Sequence, residues 1–181
     1  MPKTVKSCGG IIFDQNNEMK VLIVKHKEGH WGFPKGRVEG DETELETARR
    51  ELREETNLEV GFFKKGRLTS EYYLPDGKFK TVVYFPGFYL AGELKYQRSE
   101  LTDAKWILPQ DVNKYLTQSD SEELIYKALN FLILLEAKLA QKNKNDITEY
   151  DLDIDLPAYQ DYSSSELFEQ LVTEQNEEEY N

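Results

Sequence analysis

Apolar and polar positions alternate over residues 5–25 in two Ile- and Val-rich runs on either side of Asp14-Gln15-Asn16-Asn17, the pattern of a β-hairpin. A loop carrying Gly29, Gly32, Pro34, Gly36 and Gly40 follows. The period then changes from two to nearly four. A helix is expected from residue 42 to Thr56, opened by a capping box of Asp41 with Glu44 and stopped at Asn57, a residue that tolerates positive φ. Further strands are expected over 67–73, 80–90 and 104–108, the first two separated by Pro75-Asp76-Gly77. Leu124, Ala128, Phe131, Leu135 and Leu139 recur at helical spacing and predict a second helix over 121–141. Strands interleaved with helices make an α/β domain the expected class. Beyond Asn143 the periodicity fades, so a body of residues 1–142 and an acidic tail of residues 143–181 are expected.

On a wheel of about 100° per residue the first helix separates into two stripes. Leu45, Ala48 and Leu52 share one face, and Glu44, Glu51, Glu54 and Glu55 gather on the adjoining one. Carboxylates three and four residues apart repel one another, and a cation would offset that repulsion. Magnesium suits the purpose, since it prefers hard oxygen ligands and bridges carboxylates to phosphates. An exposed, solvated acidic face gives the same pattern, and the glutamates by themselves do not separate the two.

Charge and composition narrow the setting. The net charge is −11, but twelve of the 34 acids lie in residues 146–181, where there is no Lys or Arg. The body is therefore near +1 and the tail near −12, which leaves the body compatible with a polyanionic ligand. No apolar run approaches the roughly 20 residues that cross a bilayer. Cys8 is the one cysteine, and the start lacks the long apolar stretch of a secretion signal, so a cytoplasmic protein without disulfides is expected. The tail reads as a disordered, solubilising extension, or as a segment packed through Leu167, Phe168 and Leu171 on the body or on a second copy.

The spacing of the whole stretch bears on the glutamates. Gly36 is followed by Glu42, and then by Arg50-Glu51-Leu52-Arg53-Glu54-Glu55-Thr56-Asn57-Leu58. This resembles the box of the Nudix hydrolase family, with Asn57 where that family usually has glycine. The resemblance implies an α/β/α Nudix sandwich with a mixed sheet. It also implies Glu51, Glu54 and Glu55 as ligands of Mg2+ (or Mn2+ in its place), with the Gly36 carbonyl beside them and Arg50 and Glu42 as their supports. The chemistry implied is attack of a metal-activated water on phosphorus. Arg50 is placed with Glu54 and Glu100 in the catalytic set, and whether Glu54 or Glu100 is the base is open, with Asp103 competing for the place of Glu100.

The flanks, His30-Trp31-Gly32-Phe33-Pro34-Lys35 and Lys80-Thr81-Val82-Val83-Tyr84-Phe85, together with Ser7-Cys8-Gly9-Gly10 and with Glu100 six residues before Trp106, are similar to those of asymmetric diadenosine tetraphosphate hydrolases. That likeness implies His30, Lys35 and Lys80 as phosphate contacts and Tyr73, Tyr84 and Tyr126 as stacking surfaces for a base, with a packed loop residue the alternative for His30 and core packing the alternative for the tyrosines, above all for Tyr84 inside an apolar strand. A nucleotide polyphosphate is the expected substrate, with neither DNA nor membrane as partner and a monomer or homodimer as the assembly. Nucleoside triphosphates, diphosphoinositol polyphosphates and capped RNA are alternative substrates of the same chemistry. A non-catalytic nucleotide-binding regulator is the alternative of another class.

Overall fold

The computed structural model describes residues 3–143, 146–148, 151 and 153–157. The hairpin of the first 26 residues forms as β1 (Thr4–Asp14) and β2 (Lys20–His26). Two short strands lie in the glycine-rich loop, β3 (Trp31–Gly32) and β4 (Lys35–Arg37), ahead of helix α1 (Glu44–Thr56). Then come β5 (Glu59–Phe63), β6 (Leu68–Tyr73), β7 (Phe79–Ala91), β8 (Leu101–Ile107) and helix α2 (Ser121–Ala140). Among the described residues, β9 (Ile154–Asp155) completes a sheet ordered β3-β2-β1-β7-β5-β9, with β4 on β1, β6 on β7 and β8 on β2.

The sheet is mixed because β1 and β7 run parallel at its centre while the other pairs are antiparallel. Residues 7–13 of β1 are buried without interruption, as a strand covered on both faces requires. Alternate residues feed two cores. Ile11, Phe13, Val82 and Tyr84 pack with Leu124, Ile125, Ala128 and Leu132 of α2, while Cys8, Ile12 and Val83 pack with Ala48 and Leu52 of α1. Two helices on opposite faces of a mixed sheet are the expected α/β/α sandwich. No helix of the described residues is long and apolar enough to cross a membrane.

The start of α1 departs from expectation. The cap is Thr43, not Asp41: its hydroxyl accepts from Glu46 N at 3.2 Å, and Glu46 reaches back to Thr43 N at 3.3 Å. Glu44 cannot serve the Asp41 box because its carboxylate is held by Arg67 at 2.7 Å and Lys6 at 2.6 Å. At the other end Asn57 adopts φ 63°, and its N–H closes on Arg53 O, so asparagine fills the glycine position of the motif. Strand β5 was not anticipated, since only Asn57 and Leu58 separate its five residues from the helix. Part of the segment set aside as tail also enters the fold. Ile154 and Asp155 pair with Phe63 and Phe62, and Gly61 leaves the space that Ile154 and Leu156 fill. Leu167, Phe168 and Leu171 lie outside the described residues.

Replacing Thr43 with Ala should cost about 1 kcal/mol, while Asp41→Ala should stay within about 0.5 kcal/mol, as read from urea unfolding midpoints. Equal losses would return the cap to Asp41.

Candidate functional site

Strand β4 joins the two sides of the site. It pairs with β1 so that Lys35 lies opposite Gly9, Gly36 opposite Cys8 and Arg37 opposite Ser7. Successive side chains of a strand point to opposite faces. Lys35 and Arg37 therefore share the α2 face with Ser7, and Gly36 turns its bare Cα to α1. A Cβ on Gly36 would stand 1.9 Å from the carboxyl carbon of Glu51. The glycine is thus required by a close approach of carboxylate to backbone, not by a left-handed φ.

Helix α1 supplies the acids. Glu51 is 9% and Glu55 2% exposed, while Glu54 is half-exposed. Arg50 ties them together. Its Nε and one terminal nitrogen grip Glu42 at 2.7 and 3.0 Å, the other terminal nitrogen donates to Glu51 at 2.9 Å and Glu54 at 3.1 Å, and the fork also donates to Arg37 O at 2.9 Å. The two supports expected from the sequence are therefore one fixture. The hydrogen bonds from Arg50 hold Glu42 down to about 2.

The buried acids are poorly neutralised. Burial, then the neighbouring Glu51, pushes Glu55 up to about 8, against a backbone hydrogen bond from Lys35 N at 3.1 Å. Burial likewise raises Glu51, with Arg50 opposing. Glu100 adds to the repulsion on both. Its loop reaches them because Lys95 N and Gln97 N donate to Thr56 O and Glu55 O at 3.0 and 3.1 Å, taking carbonyls that the end of α1 leaves unpaired. Asp103, the competitor, lies in β8 opposite Lys25 and accepts from the adjacent Ala104 N.

Cations line the other face. Lys80 is 7% exposed and donates to the buried Ser7 hydroxyl. Burial, with Lys35 and Arg37 nearby, pulls Lys80 down to about 8, and burial lowers Lys35 too. No described carboxylate forms an ion pair with either ammonium. His30 is exposed and stacks at 4.5 Å on His26, which burial pulls down to about 4.

The tyrosines divide. Tyr73, in β6, is 70% exposed beside Phe79, and Tyr126, on α2, is 53% exposed. Tyr84 is a core residue, 5% exposed and edge-on to Phe33, so the expectation of a stacking surface there is corrected: its ring faces are spent on packing. Sequence reasoning missed Trp31, Tyr115 and Lys105, which meet on the edge of the sheet. It also missed Arg49, whose guanidinium bonds Val60 O, Asp155 O and the Asp155 carboxylate.

Among the described residues no three His, Cys, Asp or Glu side chains converge as a ready-made metal site, and Arg50 holds one oxygen of both Glu51 and Glu54. The donor set nevertheless fits magnesium. It consists of hard carboxylate oxygens, two of them raised by burial and mutual repulsion, next to a backbone bared by a glycine.

The fold and this box define a Nudix domain. The model of that family, described as NUDIX domain, matches residues 3–128, and the chain belongs to the family. Mouse bis(5'-nucleosyl)-tetraphosphatase (asymmetrical) is 36% identical over 92 residues, which cover 45% of this chain and 63% of that protein. The chain thus spans less than two thirds of the length of that relative. The mRNA decapping complex subunit 2 of Schizosaccharomyces pombe is 26% identical over 162 residues, 83% of this chain and 21% of that protein. A solved binary complex of an Ap4A hydrolase from C. elegans superposes with a TM-score of 0.66 at 26% identity, covering 71% of this chain and 98% of that one.

Because the folded Glu55 sits above its ordinary value, its contribution is complete below about 4.5 and is lost as pH rises through about 8. In chelator, the melting temperature of the unaltered chain should fall relative to Glu55→Gln between pH 5 and 9. A constant difference across that range would show Glu55 to be ordinarily ionised.

Proposed function

We propose that the chain is a magnesium-dependent hydrolase that splits a dinucleoside tetraphosphate, diadenosine tetraphosphate above all, into ATP and AMP. The observation that carries this reading is the division across β4. Under-neutralised carboxylates stand on one side and, on the other, the buried Lys80 and half-buried Lys35, whose ammoniums form no ion pair with a described carboxylate, an arrangement suited to a polyphosphate chain and its cation. The tetraphosphatase relatives and the similarity to an Ap4A hydrolase structure support the choice of substrate.

Glu51, Glu54 and Glu55, with the Gly36 carbonyl, would hold the magnesium. When bound, the ion supplies charge neutralisation on phosphate oxygens and acidifies water. Arg50 would aim Glu51 and Glu54 through its hydrogen bonds to both. Lys35 and Lys80 bind the phosphates, aided by His30, and their burial makes each charge count for more than it would in water. Glu54 or Glu100 would take a proton from the attacking water as its oxygen bonds to phosphorus and one anhydride bond breaks. Tyr73 and Tyr126, both exposed, offer ring faces to a base. A capped RNA end is the second reading, favoured by the longer match to the decapping subunit.

The test is turnover of a panel with magnesium: diadenosine tetraphosphate, ATP, a diphosphoinositol polyphosphate and capped RNA, products resolved by chromatography. The dinucleotide should give ATP and AMP, Glu54→Gln should slow it at least about 100-fold, and Lys80→Met should chiefly raise KM. Cleavage of capped RNA alone would replace the substrate, and no cleavage of any member would leave a nucleotide-binding module.

A further inference from the structure

Strands β2, β3 and β8 present a basic aromatic cluster that the reaction described above does not use. Lys25 lies opposite both Trp31 and Asp103, and Ile23 lies opposite Lys105, which puts both lysines and the indole on the α2 face. The Lys105 ammonium stands 4.7 Å from the centre of the Trp31 ring and 4.0 Å from that of Tyr115. Lys25 reaches the same indole at 5.8 Å, and Tyr115 meets Trp31 edge-on at 5.7 Å. All four residues are half-buried, and no described carboxylate pairs with either lysine.

We infer that Trp31 and Tyr115, with Lys25 and Lys105, form a second nucleotide subsite that takes the distal base and its phosphate when the substrate has two nucleosides. The inference rests on the dinucleotide reading of the preceding subsection. A ring face covered by a lysine rather than by packed carbon can be surrendered, since the flexible stem lets the ammonium move from indole to phosphate as a base slides in. Position supports it. Trp31 is four residues from Lys35, so the chain between them spans at most about 14 Å. Aromatic faces interleaved with unpaired cations suit a base joined to phosphates, because every base has a face to stack. A second base on this platform also gives a reason for preferring a dinucleotide to a mononucleotide of equal charge.

The chain has two tryptophans, and Trp106 packs with Tyr89 on the α1 side, so Trp106→Phe leaves Trp31 as the one reporter. With magnesium, in stopped flow, diadenosine tetraphosphate should quench Trp31 emission at concentrations roughly tenfold below those needed with adenosine tetraphosphate. Lys105→Ala should remove most of that gap, and Lys105→Arg, which keeps a stacking cation, should retain it. If the dinucleotide is cleaved to ATP and AMP while Trp31 emission does not respond, or the gap survives Lys105→Ala, the subsite is overturned and the proposed function stands. If the dinucleotide is neither bound nor cleaved, both fall.

Discussion

Burying Glu51 and Glu55 is the constraint that orders the rest of this structure. A carboxylate withdrawn from water is costly unless it is paired or protonated, and here two lie one helical turn apart. What surrounds them is partial compensation. Arg50 meets Glu51, the Lys35 amide meets Glu55, and Gly36 lets the Glu51 carboxylate lie against the backbone. None of these offsets the burial, or the repulsion from Glu51 that adds to it, so Glu55 stays raised. A stability-optimised helix would put leucine in these places. The persistence of the acids is intelligible when a cation completes the balance.

The same constraint explains why the central strands are arranged as they are. A carboxylate can press on the backbone only where a strand offers no side chain, and β4 offers Gly36 between two cationic residues. Its pairing with β1 fixes which face each takes, and the parallel β1–β7 pair carries that register to Lys80. Ser7 then receives the Lys80 ammonium. A one-residue slip of β4 would turn Lys35 toward α1 and a glycine toward the phosphate side, inverting the charges of the site. The uninterrupted burial of β1 works against such a slip, since its Ile and Phe side chains are shared between two cores.

How much of this was legible in the sequence follows from how local each determinant is. The glutamate helix, its stop at Asn57 and the hairpin are set by nearest neighbours and by periodicity, and they appear as expected. The cap was misplaced because Asp41 with Glu44 and Thr43 with Glu46 are equally good boxes in one dimension; Lys6 and Arg67, remote in sequence, decide between them by claiming Glu44. For Tyr84 the apolar run left stacking and core packing both open, because a strand pattern does not show which neighbours cover the ring. The nearness of Glu100 to the buried acids had no local sign, because it comes from the backbone bonds that dock its loop on the end of α1. The basic aromatic cluster left no mark at all, since Trp31, Lys105 and Tyr115 come from three separate segments.

Arg49 connects the site to a part of the chain beyond the family match. It follows Ala48 of the α1 core and precedes Arg50, so its direction is fixed by the same turn that aims Arg50 at the acids. Its guanidinium lies over Phe62 and bonds Val60 O, Asp155 O and the Asp155 carboxylate. Strand β5 would otherwise end the sheet with unpaired backbone groups, an invitation to another strand. With β9 across Phe62 and Phe63, and Arg49 on the Val60 carbonyl, that edge is occupied by the protein itself. The acidic character of this segment is thereby put to use, because Asp155 and Asp153 find cations in Arg49 and Lys64. The helix that gathers carboxylates on one side thus holds a carboxylate-bearing strand on the other, with an arginine at each contact.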